Sequence, residues 1–477
     1  MFERIKNILK GGIKMIPNIL QQDNQVSYSS VGTELMTTKI AEWLNLYLTS
    51  CYSTKSEETD ECTSTMGLYA SICAEMARLV TQELVFHVID PEKEEQKGTR
   101  AEFLSETMEQ FLERLSIYTE YALAGGGIIF KPYMESEKSI AIDCSLANDF
   151  FPLAFNSAGE ILACKFVEHK KYLNKFYHRI ETHKLEDEGL VVTNEAWVSN
   201  RQEAKGKRCK LSEVPEWSNL SEETVIKGVD SMLFSYFRIP LGNCIDINSP
   251  LGISVFARAT QLIEDAEKQW ERYNWEFEAT EVAIDVTKDY FVQSRHGVPM
   301  VPKRRERLFR QSNLDSDDKN EAIKYYNPQI REAELKAGLN TMLQRIEFNV
   351  GFAYGTLSDP LVVDKTAEEI KASKQRSYST VSHIQMSLDK ALKKLVKALN
   401  TYADLYELAP DGDYTVNATW DDSIIIDAEK ERARDKDDVR NGILQKWEYR
   451  VKWYGESEDI AKQRVSETLS ENPFDLK

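Results

Sequence analysis

The order of structural elements between residues 248 and 400 constrains the fold of this chain more than any other feature. Hydrophobic periodicity predicts a long helix over residues 254–281, a strand-rich insert, a second helix over 330–353, an irregular loop and a third long helix from Thr366. The first helix carries one apolar stripe, whose members are three or four residues apart or at multiples of these spacings: Val255, Ala259, Leu262, Ala266, Tyr273 and Phe277. Two helices that leave a body and return around an insert form a shaft with a head, and we expect the loop after them to project from that shaft.

Charge is distributed unevenly along this layout. The whole chain has a net charge of −18, and residues 254–281 hold seven acidic against three basic residues. The segment 282–330 differs, with nine basic and seven acidic residues. A protein that grips DNA carries a basic face, because neutralising phosphates supplies the binding energy. The acidic helix is therefore either an ordinary solvated surface or a wall that DNA passes without binding.

The patterns in the rest of the chain predict an α+β protein. A chain of 477 residues is too long to fold around one hydrophobic core, so roughly two to four substructures are expected. Before residue 250, the patterns predict helices and then short strands, with a polar surface loop at 200–222. The predicted helices span 33–49, 66–83 and 101–124. After residue 410, the patterns predict a strand over 414–420 and helices over 427–446 and 456–469.

The composition fits neither a membrane-spanning protein nor a secreted, disulfide-bonded one. No apolar run approaches the roughly 18 residues that cross a bilayer, and charges interrupt the apolar residues near the N-terminus. Seven widely spaced cysteines, with no C-x-x-C pair, indicate reduced thiols in a cytoplasm and argue against a zinc site.

No catalytic, cofactor-binding or metal site is predicted. The chain lacks the phosphate-binding pattern G-x-x-x-x-G-K-[ST], H-E-x-x-H and G-x-S-x-G, and the glycines at 125–127 indicate a turn. The acidic pairs at 421–422 and 437–438 fit solvated surface or helix-start charges.

One basic cluster stands out against the acidic background: Lys303, Arg304, Arg305, Arg307 and Arg310. It is the solvated rim of a hairpin, a surface that contacts phosphate or a partner protein, or a nuclear import signal.

Several phrases of the sequence resemble the portal proteins of tailed bacteriophages that infect Gram-positive bacteria. They occur in the family's order and spacing, they cover nearly the whole chain, and each is weak alone. The phrases are GNCID at 242–246 with SPLGIS at 249–254, NPQIR at 327–331, GFAYGTLS at 351–358, TAEEI at 366–370 and WDDSI at 420–424. Glu368 is a departure, because the family tends to have threonine at that position.

The resemblance implies an α+β, portal-like subunit with long stem and tunnel helices, a mixed α/β wing, a small β-containing clip and a helical C-terminal crown. The implied boundaries are 1–250 for the N-terminal region and wing, 251–281 for a stem helix, 282–329 for the clip, 330–354 for a second stem helix, 355–365 for a tunnel loop, 366–409 for a long wing helix and 410–477 for the crown.

The resemblance also assigns three sets of residues to the passage of DNA. The tunnel loop set is Thr356, Leu357, Ser358, Asp359, Pro360, Leu361, Val362, Val363, Asp364 and Lys365. The channel stem set is Glu264, Glu267, Lys268, Glu271 and Glu278. The clip set, which would meet a partner or DNA, is the basic cluster. For the tunnel loop, an inert connection between helices is the alternative.

The function implied is structural: a ring, typically of twelve subunits, that forms the channel for packaging double-stranded DNA into a capsid and for its ejection. The implied partners are the terminase large subunit, the major capsid and scaffold proteins and a head-completion adaptor, with no membrane and no cofactor. The implied location is the capsid vertex of the virion, after assembly in the cytoplasm of a bacterial host. The alternatives are another capsid-associated minor head protein and a DNA-processing enzyme.

Overall fold

The fold is described from a computed structural model of the chain. The described residues are 34–50, 65–93, 96–201, 204, 206–286, 292–293, 299–300, 309–311, 323–359, 367–420, 428–454 and 460–465.

Among the described residues, four helices precede the first large sheet. They are α1 (Glu34–Thr49), α2 (Leu68–Thr81), α3 (Arg100–Glu113) and α4 (Leu115–Gly125), with strand β1 (Leu84–Ile89) between α2 and α3. The prediction of one helix over 101–124 is wrong, because the chain leaves helical geometry at Arg114 (φ −102°, ψ 2°). The two halves pack on different neighbours, α4 on α1 and α2, and α3 on the long helix at 367–405. Tertiary packing therefore overrides a continuous local pattern.

A three-stranded sheet lies beside these helices. Strand β2 (Gly127–Ser136) pairs with both β3 (Ser139–Leu146) and β10 (Ser235–Arg238), antiparallel in each case. Ile128, Ile129, Phe130 and Phe237 are fully buried here. The turn predicted at the three glycines ends α4, and Gly126 has a φ of +89°.

A second sheet has the order β4-β5-β6-β7-β8, with β9 also paired to β7. Its strands are β4 (Phe150–Phe155), β5 (Ile161–Tyr172), β6 (Lys175–Glu186), β7 (Gly189–Ser199), β8 (Lys207–Cys209) and β9 (Glu223–Lys227). The predicted surface loop at 200–222 is wrong in part, because it holds β8 and two short 3-10 helices. Its Leu211, Val214 and Trp217 are buried against the sheet. Apolar side chains spaced among polar ones anchor this segment.

Polar groups are also buried in this second sheet. His169 on β5 lies opposite His178 on β6, with their Nδ1 atoms 2.6 Å apart. Glu181 accepts hydrogen bonds from Lys131 and His183 and forms an ion pair with Arg179. Burial alone would raise the pKa of Glu181, but these cationic and hydrogen-bonding neighbours outweigh burial and hold that pKa well below its usual range.

The predicted helix–insert–helix arrangement is present. Helix α5 (Thr260–Ala279) and helix α6 (Glu332–Val350) pack together and flank the strands of the insert. Helix α5 begins six residues later than predicted, because the Ser254 Oγ and the Val255 N–H both donate to the carbonyl of Leu123 and hold these two residues outside the helix. The described insert strands are β11 (Ala283–Val286), β12 (Val292–Gln293), β13 (Pro299–Met300), β14 (Phe309–Gln311) and β15 (Ile323–Tyr326).

The third predicted helix is also confirmed. Helix α7 (Ala367–Leu405) has 39 residues and is therefore about 58 Å long. Its buried face packs on the three-stranded sheet, where Ser387 Oγ donates to the carbonyl of Arg238 and Ser235 Oγ donates to that of Ala391, both at 2.6 Å. That face includes Ile384, Leu388, Leu392, Leu395 and Leu399.

A smaller compact unit consists of residues 83–86 and 417–477. Residues 83–86 belong to it because β1 pairs with β16 (Thr415–Trp420). Helices α8 (Ala428–Arg440) and α9 (Lys446–Tyr454) follow, and Asp435 accepts hydrogen bonds from Lys452 and Trp453. The predicted helix over 427–446 ends at Arg440, and α9 was not predicted as a separate helix. Residues 460–465 are helical, as expected for 456–469.

Candidate functional site

The end of α5 is tied to the start of α6 by one ion pair. The Arg331 guanidinium donates to both carboxylate oxygens of Glu276, with Nη2–Oε2 at 2.8 Å and Nε–Oε1 at 3.1 Å. These hydrogen bonds hold the pKa of Glu276 below its usual value. Tyr273 on α5 also donates to Glu332 on α6. Because the last turns of α5 meet the first residues of α6, the two helices run antiparallel.

Three exposed glutamates form a line along α5, called here the acidic stripe: Glu264, Glu271 and Glu278. Successive residues advance about 100° around a helix, so residues seven apart fall close to one line. Tyr273 and Glu276 bond to α6, and Gln269 lies beside Gly338 of α6. By the same geometry these three residues lie on the opposite side of α5 from the acidic stripe. The stripe therefore points away from α6.

The other two residues of the predicted channel stem set are in different surroundings. Glu267 is half-buried, and its Oε2 accepts a hydrogen bond from the backbone N–H of Met66 at 2.9 Å. Lys268 is exposed, and its Nζ lies 3.4 Å from the Asp265 carboxylate. Glu267 thus helps to attach α5 to the helical body, whereas Lys268 lies at the surface with the acidic stripe.

Residues 355–358, which follow α6, are held against its end. Glu347, in the last turn of α6, is fully buried. Its Oε1 accepts the backbone N–H groups of Gly355, Leu357 and Ser358, and its Oε2 accepts the Ser358 hydroxyl. Sequence reasoning did not select Glu347, because a glutamate in a helical pattern is typical of a solvated surface.

The predicted tunnel loop set is therefore divided. Thr356 is exposed, while Leu357 and Ser358 are held by Glu347, and the backbone N–H of Asp359 donates to Asn340 Oδ1 at 2.8 Å. Residues 360–365 lie outside the described residues. The prediction that this loop reaches DNA thus depends mainly on the second half of the set.

Most of the basic cluster lies outside the described residues. Lys303, Arg304, Arg305 and Arg307 lie outside the described residues, and Arg310 belongs to β14. Strand β14 pairs in parallel with β11, which also pairs antiparallel with β15. The described strands thus place Arg310 in the insert sheet between the two long helices.

The described residues contain no cluster of three or more His, Cys, Asp or Glu side chains able to hold a metal ion. None of their helices is long and apolar enough to cross a membrane.

An antiparallel pair of long helices around a stranded insert, followed by a still longer helix on a mixed body, defines an α+β protein with an extended shaft. The chain belongs to the family of phage portal proteins described as SPP1 Gp6-like, whose family model matches residues 71–450. Proteins of this family are structural and not enzymatic, and their place is at the capsid vertex of the virion.

Two solved structures are similar at low identity. One is the neck of a native GTA particle computed with C12 symmetry, with 11% identity, 80% of this chain and 89% of that chain covered, and a TM-score of 0.37. The other is the neck of an empty GTA particle computed with C6 symmetry, with 9% identity, 81% and 88% covered, and a TM-score of 0.40. No curated protein matches the chain.

Proposed function

We propose that this portal protein assembles into a ring, typically of twelve subunits, whose central channel carries double-stranded DNA into the capsid and out of it. In this proposal α5 and α6 are the stem, residues 282–329 the clip, 355–365 the tunnel loop, 366–409 the long wing helix and 410–477 the crown. Residues 1–250 supply the N-terminal region and wing.

The acidic stripe is the observation that carries the proposal. Its three carboxylates are exposed and lie on the side of α5 away from α6, so α6 does not neutralise their charge. Repeated around an axis, the stripes would line a wall of negative charge. DNA carries one charge per about 1.7 Å of its axis, so a wall of the same sign allows the duplex to slide without binding.

We infer the partners of the protein from the insert at one end of the helix pair and from the wing at the other. The insert, which is net positive in a chain of −18, would meet the terminase large subunit during packaging and a head-completion adaptor afterwards. The wing would contact the major capsid and scaffold proteins, and assembly would take place in the cytoplasm of a bacterial host of the Gram-positive type. The channel needs no cofactor in this scheme, because a separate ATPase would supply the energy.

Electron microscopy of the purified protein tests the proposal directly. We expect rings with a central hole wide enough to admit a DNA duplex. Monomers alone across a range of salt and protein concentrations would contradict it. A copy number per virion far from twelve would favour the alternative of another minor head protein.

A further inference from the structure

Glu347 organises the first half of the connection between α6 and α7. Its Oε1 lies 3.1 Å from the N of Gly355, 2.6 Å from the N of Leu357 and 2.8 Å from the N of Ser358. Its Oε2 lies 3.0 Å from Ser358 Oγ, which donates to it. One side chain therefore holds four donors that belong to three residues of the connection.

Without those four contacts, a carboxylate at this position would destabilise the fold. A negative charge in the last turn of a helix opposes the helix dipole, and burial removes its hydration. Among the described residues, no Lys, Arg or His forms an ion pair with Glu347. Hydrogen bonds to a charged acceptor are stronger than neutral ones, so the four donors offset these costs only when the connection adopts this conformation.

Other contacts fix the same segment at both ends. Gly351, the helix C-cap of α6, has a φ of +91° and lies directly against Thr380 of α7. The Arg376 guanidinium of α7 lies over the rings of Phe348 and Tyr354, at 4.4 and 5.3 Å from their centroids.

At the other end of the segment, the N–H of Asp359 donates to Asn340, and the Asp359 carboxylate lies 3.5 Å from Lys336 Nζ. Residues 351–359 are thus attached to both α6 and α7.

We propose that Glu347 is a positioning residue: its buried carboxylate fixes residues 351–359 as the base of the tunnel loop. This role rests on the proposed function, in which the second half of the same loop meets DNA. Glu347 does not touch DNA itself in this proposal. It acts by holding the base that places the residues that do.

Amide hydrogen exchange of the full-length protein, read on peptides covering residues 351–359, tests the anchoring. In the wild type we expect slow exchange at Gly355, Leu357 and Ser358. Glu347→Ala removes the acceptor and should speed exchange there by about tenfold or more, while Glu347→Gln keeps one acceptor oxygen and should have a smaller effect. Glu334→Gln is the matched control, because Glu334 lies on the same helix but is exposed.

Exchange in strands β5 and β6 reports whether the variants are folded. If Glu347→Ala speeds exchange there as well, Ser358→Ala replaces it, because this change removes only the hydroxyl contacts. Exchange at 351–359 in the wild type as fast as in an unstructured peptide would overturn the proposal. So would unchanged exchange in both Glu347 variants.

The functional half is tested by the amount of DNA packaged by particles that carry the variant rings. We expect Glu347→Ala to lower packaging with rings retained, and Glu334→Gln to leave it unchanged. Normal packaging by intact Glu347→Ala rings would overturn the positioning role. Absence of rings in the wild type would overturn the proposed function instead, while the exchange result would still stand for the anchoring.

Discussion

Two glycines, one directly after α6 and one within it, illustrate how strongly the cost of one methyl group depends on its surroundings. Gly351 has a φ of +91°, and a Cβ there would lie 2.6 Å from Thr380 Oγ1. We expect Gly351→Ala to lower the free energy of unfolding by about 1–3 kcal/mol, because both the backbone conformation and the contact are strained. Urea unfolding followed by circular dichroism measures the loss.

Gly338 is the matched control for that experiment. It lies within α6, where the atom nearest to a Cβ is Gln269 Nε2 at 4.0 Å. Alanine is favoured over glycine inside a helix, so Gly338→Ala should leave stability unchanged or raise it by up to about 1 kcal/mol. Adding Thr380→Ala to Gly351→Ala should recover only part of the loss, since φ stays positive. Equal losses at the two glycines would refute this explanation.

At this scale the sequence carries a sign of one of the two main features of the connection, but the helix predicted over 330–353 runs three residues past the observed end at Val350. A glycine directly after an apolar helix, as at Gly351, is a usual sign of a helix end. Glu347 gives no such sign, because its donors lie eight to eleven residues further along the chain. Only the folded geometry shows that these backbone groups return to one carboxylate.

Among the helices, the charge of α5 leads to the sharpest prediction. Replacing Glu264, Glu271 and Glu278 by Lys should leave the rings intact, because all three side chains are exposed and point away from α6. The rings should then bind double-stranded DNA at least about tenfold more tightly at low salt, and this gain should disappear as salt is raised. A DNA-binding titration of assembled rings at several salt concentrations measures the effect.

The control carries the same change of charge at another place. Glu106, Glu109 and Glu113 are exposed on α3, and their replacement by Lys alters the net charge equally. If binding depends on the wall of the channel, this control should have much less effect. Equal binding by the two variants would contradict a channel lining by the acidic stripe.

The long helices were predictable because their periodicity persists over many turns. The third helix, expected from Thr366 to Tyr402, spans Ala367–Leu405. The errors occur where distant contacts intervene. Hydrogen bonds to Leu123 hold Ser254 and Val255 outside the helix before α5, and different packing partners divide the predicted helix at Arg114. Windows of neighbouring residues contain no information about such partners.

For the molecule as a whole, the buried histidines of the second sheet predict how stability depends on pH. Burial lowers the pKa of His178 to about 4 and also lowers that of His183. An unfolded histidine has a pKa of about 6.5. Between these values the unfolded chain binds protons that the folded chain excludes, so stability falls as pH is lowered from about 6.5 to about 4.

The expected contribution of His178 is up to about 3 kcal/mol over that range. Urea unfolding of the wild type and of His178→Gln at pH values from 4.5 to 7 should show a flatter dependence for the variant. His383→Gln is the control, because His383 is exposed on α7. Glu181 acts in the same direction at more acidic pH, since its pKa is held low in the fold. An equally steep dependence in His178→Gln would exclude this assignment.

The whole-chain organisation could be predicted in outline only. The family phrases and the shaft between residues 254 and 353 were visible in the sequence, and the family match confirms the class. The pairing of residues 83–86 with the C-terminal unit was not visible, because the partners are more than three hundred residues apart in sequence and short strands carry a weak pattern.

Two arginines attach α7 to other parts of the subunit, one in its third turn and the other near its C-terminal end. In the third turn the guanidinium of Arg376 covers two rings beside the connection from α6. Near the C-terminal end the buried Arg100 bonds to the carbonyls of Asn400 and Pro410 and to the Asp404 carboxylate. The unbroken helix between Arg376 and Asp404 measures about 42 Å. A mechanical load applied beside the connection would therefore be transmitted along one continuous helix to the residues around Arg100.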